Sequence, residues 1–88
     1  MQLAFNNDIT NHWVALSDII TVEENITYRI QNRGPEILMA LEADSLPDDS
    51  EEGDLILPMK QAPYEKGEQN LYLRALKNMC AINVTKVG

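Results

Sequence analysis

His12 and Trp13 set the chain's single histidine beside its single tryptophan, the one place where a base and a large aromatic ring meet. A nucleophilic site would pair His12 with the lone thiol, Cys80, or with a serine, and would orient the imidazole with a carboxylate such as Asp8 or Asp18. The residues around the thiol, Asn78-Met79-Cys80-Ala81-Ile82, are apolar and strand-like, an environment that raises a thiol pKa. The plainer reading makes Cys80 a small core hydrophobe and His12 a surface or strand-edge residue. No catalytic residue is therefore expected. One histidine and one cysteine also exclude Cys/His metal sites and a disulfide framework by counting.

The second cluster with chemical potential is acidic. Of fourteen carboxylates, seven (Glu42, Asp44, Asp48, Asp49, Glu51, Glu52 and Asp54) fall in one segment without a lysine or arginine. The rest of the chain balances seven acids against seven bases, so the net charge of -7 belongs to one loop. Calcium would need oxygen ligands at EF-hand spacing, and counting from Asp48 the twelfth position is Met59, with Gly53 alone in place. No metal or cofactor is expected. The remaining readings are a solvated, self-repelling loop or one that meets a basic surface on another protein, with Asp48, Asp49, Glu51, Glu52 and Trp13 as the contact residues. Seven scattered bases give no footprint for nucleic acid, and an anionic membrane is disfavoured for the same reason. Gly34, Gly53, Gly67 and Gly88 lie too far apart to cradle a phosphate. Asn25-Ile26-Thr27 and Asn83-Val84-Thr85 match the glycosylation sequon, but read as chance matches without a secretory signal. Trp13, Tyr28, Tyr64 and Tyr72 could stack on a sugar, although core and interface use is the ordinary role of so few aromatics.

The elements that must carry these residues read as strands. Residues 1–11 are polar and Asn-rich at Asn6 to Asn11 and suggest a flexible N-terminal arm, followed by a single β domain over 12–88 with an acidic loop at 44–54. Trp13 to Val22 is rich in β-branched residues and would open the first strand. Ile26, Tyr28 and Ile30 alternate with Thr27, Arg29 and Gln31 up to the turn Asn32-Arg33-Gly34-Pro35. A strand from Glu36 to Ala43 is apolar on both faces in its early half, which predicts a central or covered strand. Leu55-Ile56-Leu57 is a short strand closed by Pro58, and Met59 to Asn70 reads as a loop. Leu71, Leu73 and Ala75 form one alternating set and Cys80, Ile82 and Val84 another, with Lys77-Asn78 as a two-residue hairpin turn. The spacing predicts an all-β fold, a small antiparallel β-sandwich or barrel of about six to seven short strands.

The order of these pieces resembles the small all-β accessory proteins of tailed-bacteriophage virions. The likeness lies in Tyr28-Arg29-Ile30-Gln31-Asn32-Arg33-Gly34, then Ile37-Leu38-Met39-Ala40, then Leu71-Tyr72-Leu73-Arg74-Ala75, and spans about residues 13 to 87. It implies a non-enzymatic capsid decoration or head-fibre protein, a symmetric homo-oligomer that binds a capsid or tail protein. Its expected place is the virion, after synthesis in a bacterial cytoplasm. No functional residue carries over, because the matching positions are structural. Independently of the likeness, an 88-residue chain buries only about 60 to 65% of its unfolded surface and gains from a partner. No run approaches the length of a membrane span, and the first residues lack the basic and apolar regions of a signal peptide. Two other functions remain open: an acidic module that masks a basic surface of a host protein, and a carbohydrate-binding attachment domain.

Overall fold

A computed structural model describes residues 4–87, with residues 4–7 described as backbone alone. The strands are β1 (Ala4–Thr10), β2 (Val14–Ala15), β3 (Thr27–Asn32), β4 (Leu38–Ala43), β5 (Asp54–Ile56), β6 (Gln61–Glu65), β7 (Asn70–Ala75) and β8 (Met79–Lys86). They form two antiparallel four-stranded sheets, β1-β8-β3-β6 and β2-β7-β4-β5, stacked as an open β-sandwich. A closed barrel is thereby replaced by two sheets with free edges, and the described strands number eight where six or seven were expected. Among the described residues no helix is long and apolar enough to cross a membrane.

Alternation explains the core. Tyr28 and Ile30 of β3, and Cys80, Ile82 and Val84 of β8, turn inward from the first sheet, while Leu38 of β4 and Leu71, Leu73 and Ala75 of β7 meet them from the second. Each of these is buried. Apolar burial at roughly 25 cal/mol per Å² is the main force that closes the two sheets on each other. The two-sided character of β4 is real: Leu38 joins this core, and its neighbour Met39 faces the other way and is 4% exposed.

Four expectations change. The N-terminal arm is instead a strand over Ala4–Thr10, paired residue by residue with β8 and anchored by Ile9, which is 1% exposed; residues 1–3 of that arm lie outside the described residues. The expected strand over Trp13 to Val22 is only two residues long, because the chain tightens into a 3-10 turn at Leu16–Asp18, where Ile19 and Ile20 donate to the Leu16 carbonyl. That turn drops Leu16 and Ile20 into the end of the core, so burial overrides their strand propensity. The loop from Met59 to Asn70 contains β6, hidden in the sequence by Pro63 and by exposed polar residues on its outer face. Finally, β7 and β8 do not form a hairpin. They belong to different sheets, and the bend at 76–78 carries the chain across.

Glu36 holds that crossing. Its Oε1 accepts the Asn78 amide at 2.8 Å and the Lys77 amide at 3.1 Å, while Leu76 donates to the Ile37 carbonyl. The Asn78 and Lys77 amides together keep the Glu36 carboxyl below its ordinary pKa against the opposing cost of desolvation.

Cys80 lies 1% exposed beside this corner, and burial, reinforced by the charges of Glu36 and Asp8, pushes its thiol up to about 11. At pH 8 the thiolate fraction is then roughly a hundredfold smaller than for a free thiol. Native protein should accordingly react with a thiol reagent at least about a hundredfold more slowly than urea-unfolded protein. Equal rates would mean that the thiol is open. Since the folded thiol ionises at higher pH than the unfolded one, this residue's contribution to stability is intact below pH 9 and is lost as pH rises towards 11.

Candidate functional site

The outer face of the second sheet is where the acidic loop goes. Met39, Leu41 and Ala43 of β4, Tyr72 of β7, Ala15 of β2 and Trp13 form a second apolar cluster there, separate from the inter-sheet core. Such a face needs a cover. The loop between β4 and β5 supplies one, since the Trp13 indole Nε1 donates to the Asp48 carbonyl at 3.0 Å and Arg74 Nη1 donates to the Asp49 carbonyl. Within that loop Pro47 is buried. The Arg74 guanidinium sits over the Trp13 ring, its Cζ 5.8 Å from the centroid, so one cation–π pair secures both anchors. Outside, His12 Nδ1 lies 2.9 Å from Asp49 Oδ2, with side chains 73% and 54% exposed.

The loop also shapes itself. Asp48 Oδ1 accepts the Ser50 amide at 3.0 Å and the Ser50 hydroxyl at 3.1 Å, and these bonds hold the Asp48 carboxyl below its ordinary pKa. Glu51 donates its amide to the Asp48 carbonyl at 2.9 Å, closing a turn. On the return leg Gly53 runs so close to β4 that a Cβ there would overlap the Ala40 carbonyl. Only glycine lets the two backbones approach in this way. The acidic loop is therefore a strap laid along the sheet.

The expected contact residues divide accordingly. Trp13 is 5% exposed and serves as an anchor, Asp48 spends its carboxylate on the turn, and Asp49 faces His12. Glu51 and Glu52 stand outward, exposed, with no side-chain bond to another described residue. Glu42 and Asp54, at the two ends of the strap, are exposed as well. The four aromatics of a sugar platform, Trp13, Tyr28, Tyr64 and Tyr72, are all buried, at 1 to 6% exposure, and offer no open ring face. His12 and Cys80 are not brought together as a base and nucleophile, for the imidazole is at the surface with Asp49 and the thiol is inside the core. Among the described residues no three His, Cys, Asp or Glu side chains group so as to hold a metal ion.

Sequence reasoning missed Arg74 and Gly53. Arg74 occupies an outward position of a strand whose outer neighbours are Tyr72 and Leu76, a lone cation on an apolar face, and that was the available signal. Two grooves flank the strap's return leg. One, of about 420 Å³, runs over Met39, Leu55, Arg74 and Leu76; the other, of about 470 Å³, opens between β5 and β6. No family model matches the chain, and comparison with curated proteins and with solved structures finds no match either.

Proposed function

We propose that the chain is a non-enzymatic structural protein of a phage particle, a homo-oligomer that docks on a capsid or tail protein through its acidic strap. The observation that carries the docking element is the anchoring of the strap by Trp13 and Arg74. An acidic loop free in water loses conformational entropy when it binds, whereas a strap already fixed presents Glu51 and Glu52 at little further cost. Exposed carboxylates steer a basic partner and fix its orientation more than they add affinity. The particle as the setting is supported by the strand-and-turn likeness over residues 13 to 87. Masking of a basic host protein would use the same surface and is separated by the same test.

That test is mass spectrometry of particles purified on a density gradient. The chain should be present at a copy number that is a multiple of the particle's symmetry. High salt should release it, and the E51Q/E52Q double variant should be retained less well than the parent. Its absence from particles, with the chain recovered instead on one basic host protein, overturns the structural reading in favour of masking.

A further inference from the structure

At one of the sandwich's two open sides, β5 pairs with β4 alone and β6 pairs with β3 alone. Pairing of β5 to β4 ends at Asp54 opposite Ala40, so β4 continues through Leu41, Glu42 and Ala43 with no described strand on that side. The groove of about 470 Å³ lies here, walled by Ile30 and Ala62 from the first sheet and Ile56 and Leu71 from the second.

What stands at its mouth breaks the alternation of the second sheet. Leu38 and Ala40 face the core, so Glu42, two residues further, occupies the same inward-facing row. Asp54 is paired with Ala40 and shares that row too. Two carboxylates thus sit at positions where the rest of the sheet is apolar, both exposed at the groove, with Glu52 of the strap beside them. None of the described residues lining the groove is basic. The Glu42 charge also reaches Tyr64, on the opposite wall, and after burial it is the next cause that raises that hydroxyl's pKa. Inward charges at an edge are a known means of refusing an added strand, and Pro63 strips a donor from β6 for the same end. An edge so defended favours insertion of a side chain over addition of a strand.

We propose that this groove receives a lysine or arginine side chain of the protein on which the strap docks. The aliphatic stem would lie along Ile30, Ile56, Ala62 and Leu71, with the charged head between Glu42 and Asp54. An apolar cleft with an anionic mouth is complementary to that amphipathic shape, which neither a neutral apolar residue nor an anion matches. The inference rests on the docking reading and gives it a specific contact.

The experiment titrates the ¹⁵N-labelled protein with the peptide acetyl-Ser-Val-Arg-Val-Ser-amide and, in parallel, with the same peptide carrying citrulline in place of arginine. Saturable shifts should appear at the amides of Ile30, Ile56, Ala62 and Leu71. The citrulline peptide should bind at least about tenfold more weakly. E42Q and D54N should each weaken the arginine peptide about three- to fivefold, while E24Q, which removes one charge away from the groove, leaves it unchanged. A62L, which fills the cleft without changing charge, should abolish the shifts while the remainder of the spectrum stays that of a folded protein. Equal binding of the two peptides, equal loss in E24Q, or no saturable shift in the groove overturns the assignment. Shifts confined to the amides of Asp49 to Glu51 overturn the groove but leave the strap as the docking surface, and the particle assay judges that surface independently.

Discussion

Asn32→Ala should lower the unfolding free energy by about 3–5 kcal/mol, the largest loss expected from a single polar side chain in this protein. Asn32 is fully buried, and its side-chain amide makes three hydrogen bonds, with both Nδ2 donors used. Nδ2 donates to the Glu36 carbonyl at 2.7 Å and to the Ile56 carbonyl at 2.8 Å, and Oδ1 accepts the Gly34 amide at 2.7 Å. Because Asn32 ends β3 of the first sheet and Ile56 ends β5 of the second, this side chain is a hydrogen-bonded clamp between the sheets. Its backbone donates to the Lys60 carbonyl and accepts from the Met59 amide, which ties the end of β3 to the segment leading into β6. Gly34 and Met59, on either side, have φ of 80° and 68°, and the clamp helps to hold both in the left-handed region, where the non-glycine Met59 carries strain. Alanine would take this partner from the buried Ile56 carbonyl and Gly34 amide, at about 1–3 kcal/mol each, and from the part-buried Glu36 carbonyl. Against a total stability of roughly 4–13 kcal/mol for a domain of this size, that brings the variant close to unfolding.

Urea titration followed by Trp13 fluorescence measures this directly. Asn32→Asp is the sharper comparison, since it keeps shape and replaces a double donor with an acceptor facing two carbonyls. Ionised, it should be at least as destabilised as the alanine variant. The fold opposes its charge, so its folded pKa is raised and its stability is greatest in acid and falls as pH rises through that pKa. A loss below about 1 kcal/mol in both variants would show that the sheets are held together by apolar contact alone.

Asn32 also marks the boundary of what the residues reveal in order. The alternation Ile26, Tyr28, Ile30 points one face of β3 inward, and Asn32 is the next position in that row. An asparagine there could be read as the end of the strand or as a buried polar residue with partners, and the turn chemistry of Gly34-Pro35 favoured the first. The inward rows of β7 and β8 were legible because period-2 patterning belongs to each strand by itself. Which sheet each strand joins was not. The Lys77-Asn78 step has hairpin chemistry, but Glu36, 41 and 42 residues away, takes up the amides of the bend and sends the two strands to different sheets. Similarly, the two-sided apolar pattern of β4 announced that something covers it. The cover was illegible because it is the most acidic segment of the chain, whose composition argues for water. It is seated through backbone carbonyls that any residue could offer, so only Trp13 and Arg74, remote from it in sequence, carry the signal.

The strap should therefore depend on Trp13 in two separable ways. Trp13→Ala removes a buried indole from the outer cluster, frees the Asp48 carbonyl and leaves Arg74 without its ring, for an expected loss of about 3–5 kcal/mol. Trp13→Phe retains most of the packing and loses one hydrogen bond, an expected cost of about 1 kcal/mol. Because Trp13 is the chain's only tryptophan, both are followed by far-ultraviolet circular dichroism. The strap itself is read by a glutamate-specific protease. Glu51 and Glu52 are exposed, but a protease needs several residues in extended form, which a loop fixed at Asp48, Asp49 and Gly53 cannot offer. Cleavage after Glu51 or Glu52 should be slow in the parent, faster in Trp13→Phe and fastest in Trp13→Ala, even at temperatures where circular dichroism reports a folded sandwich. If all three were cut at one rate while folded, Trp13 would be a core residue only, and the acidic loop would move independently of the face it covers. The ordering of the three rates thus decides whether the carboxylates are presented on a fixed surface or merely tethered to one.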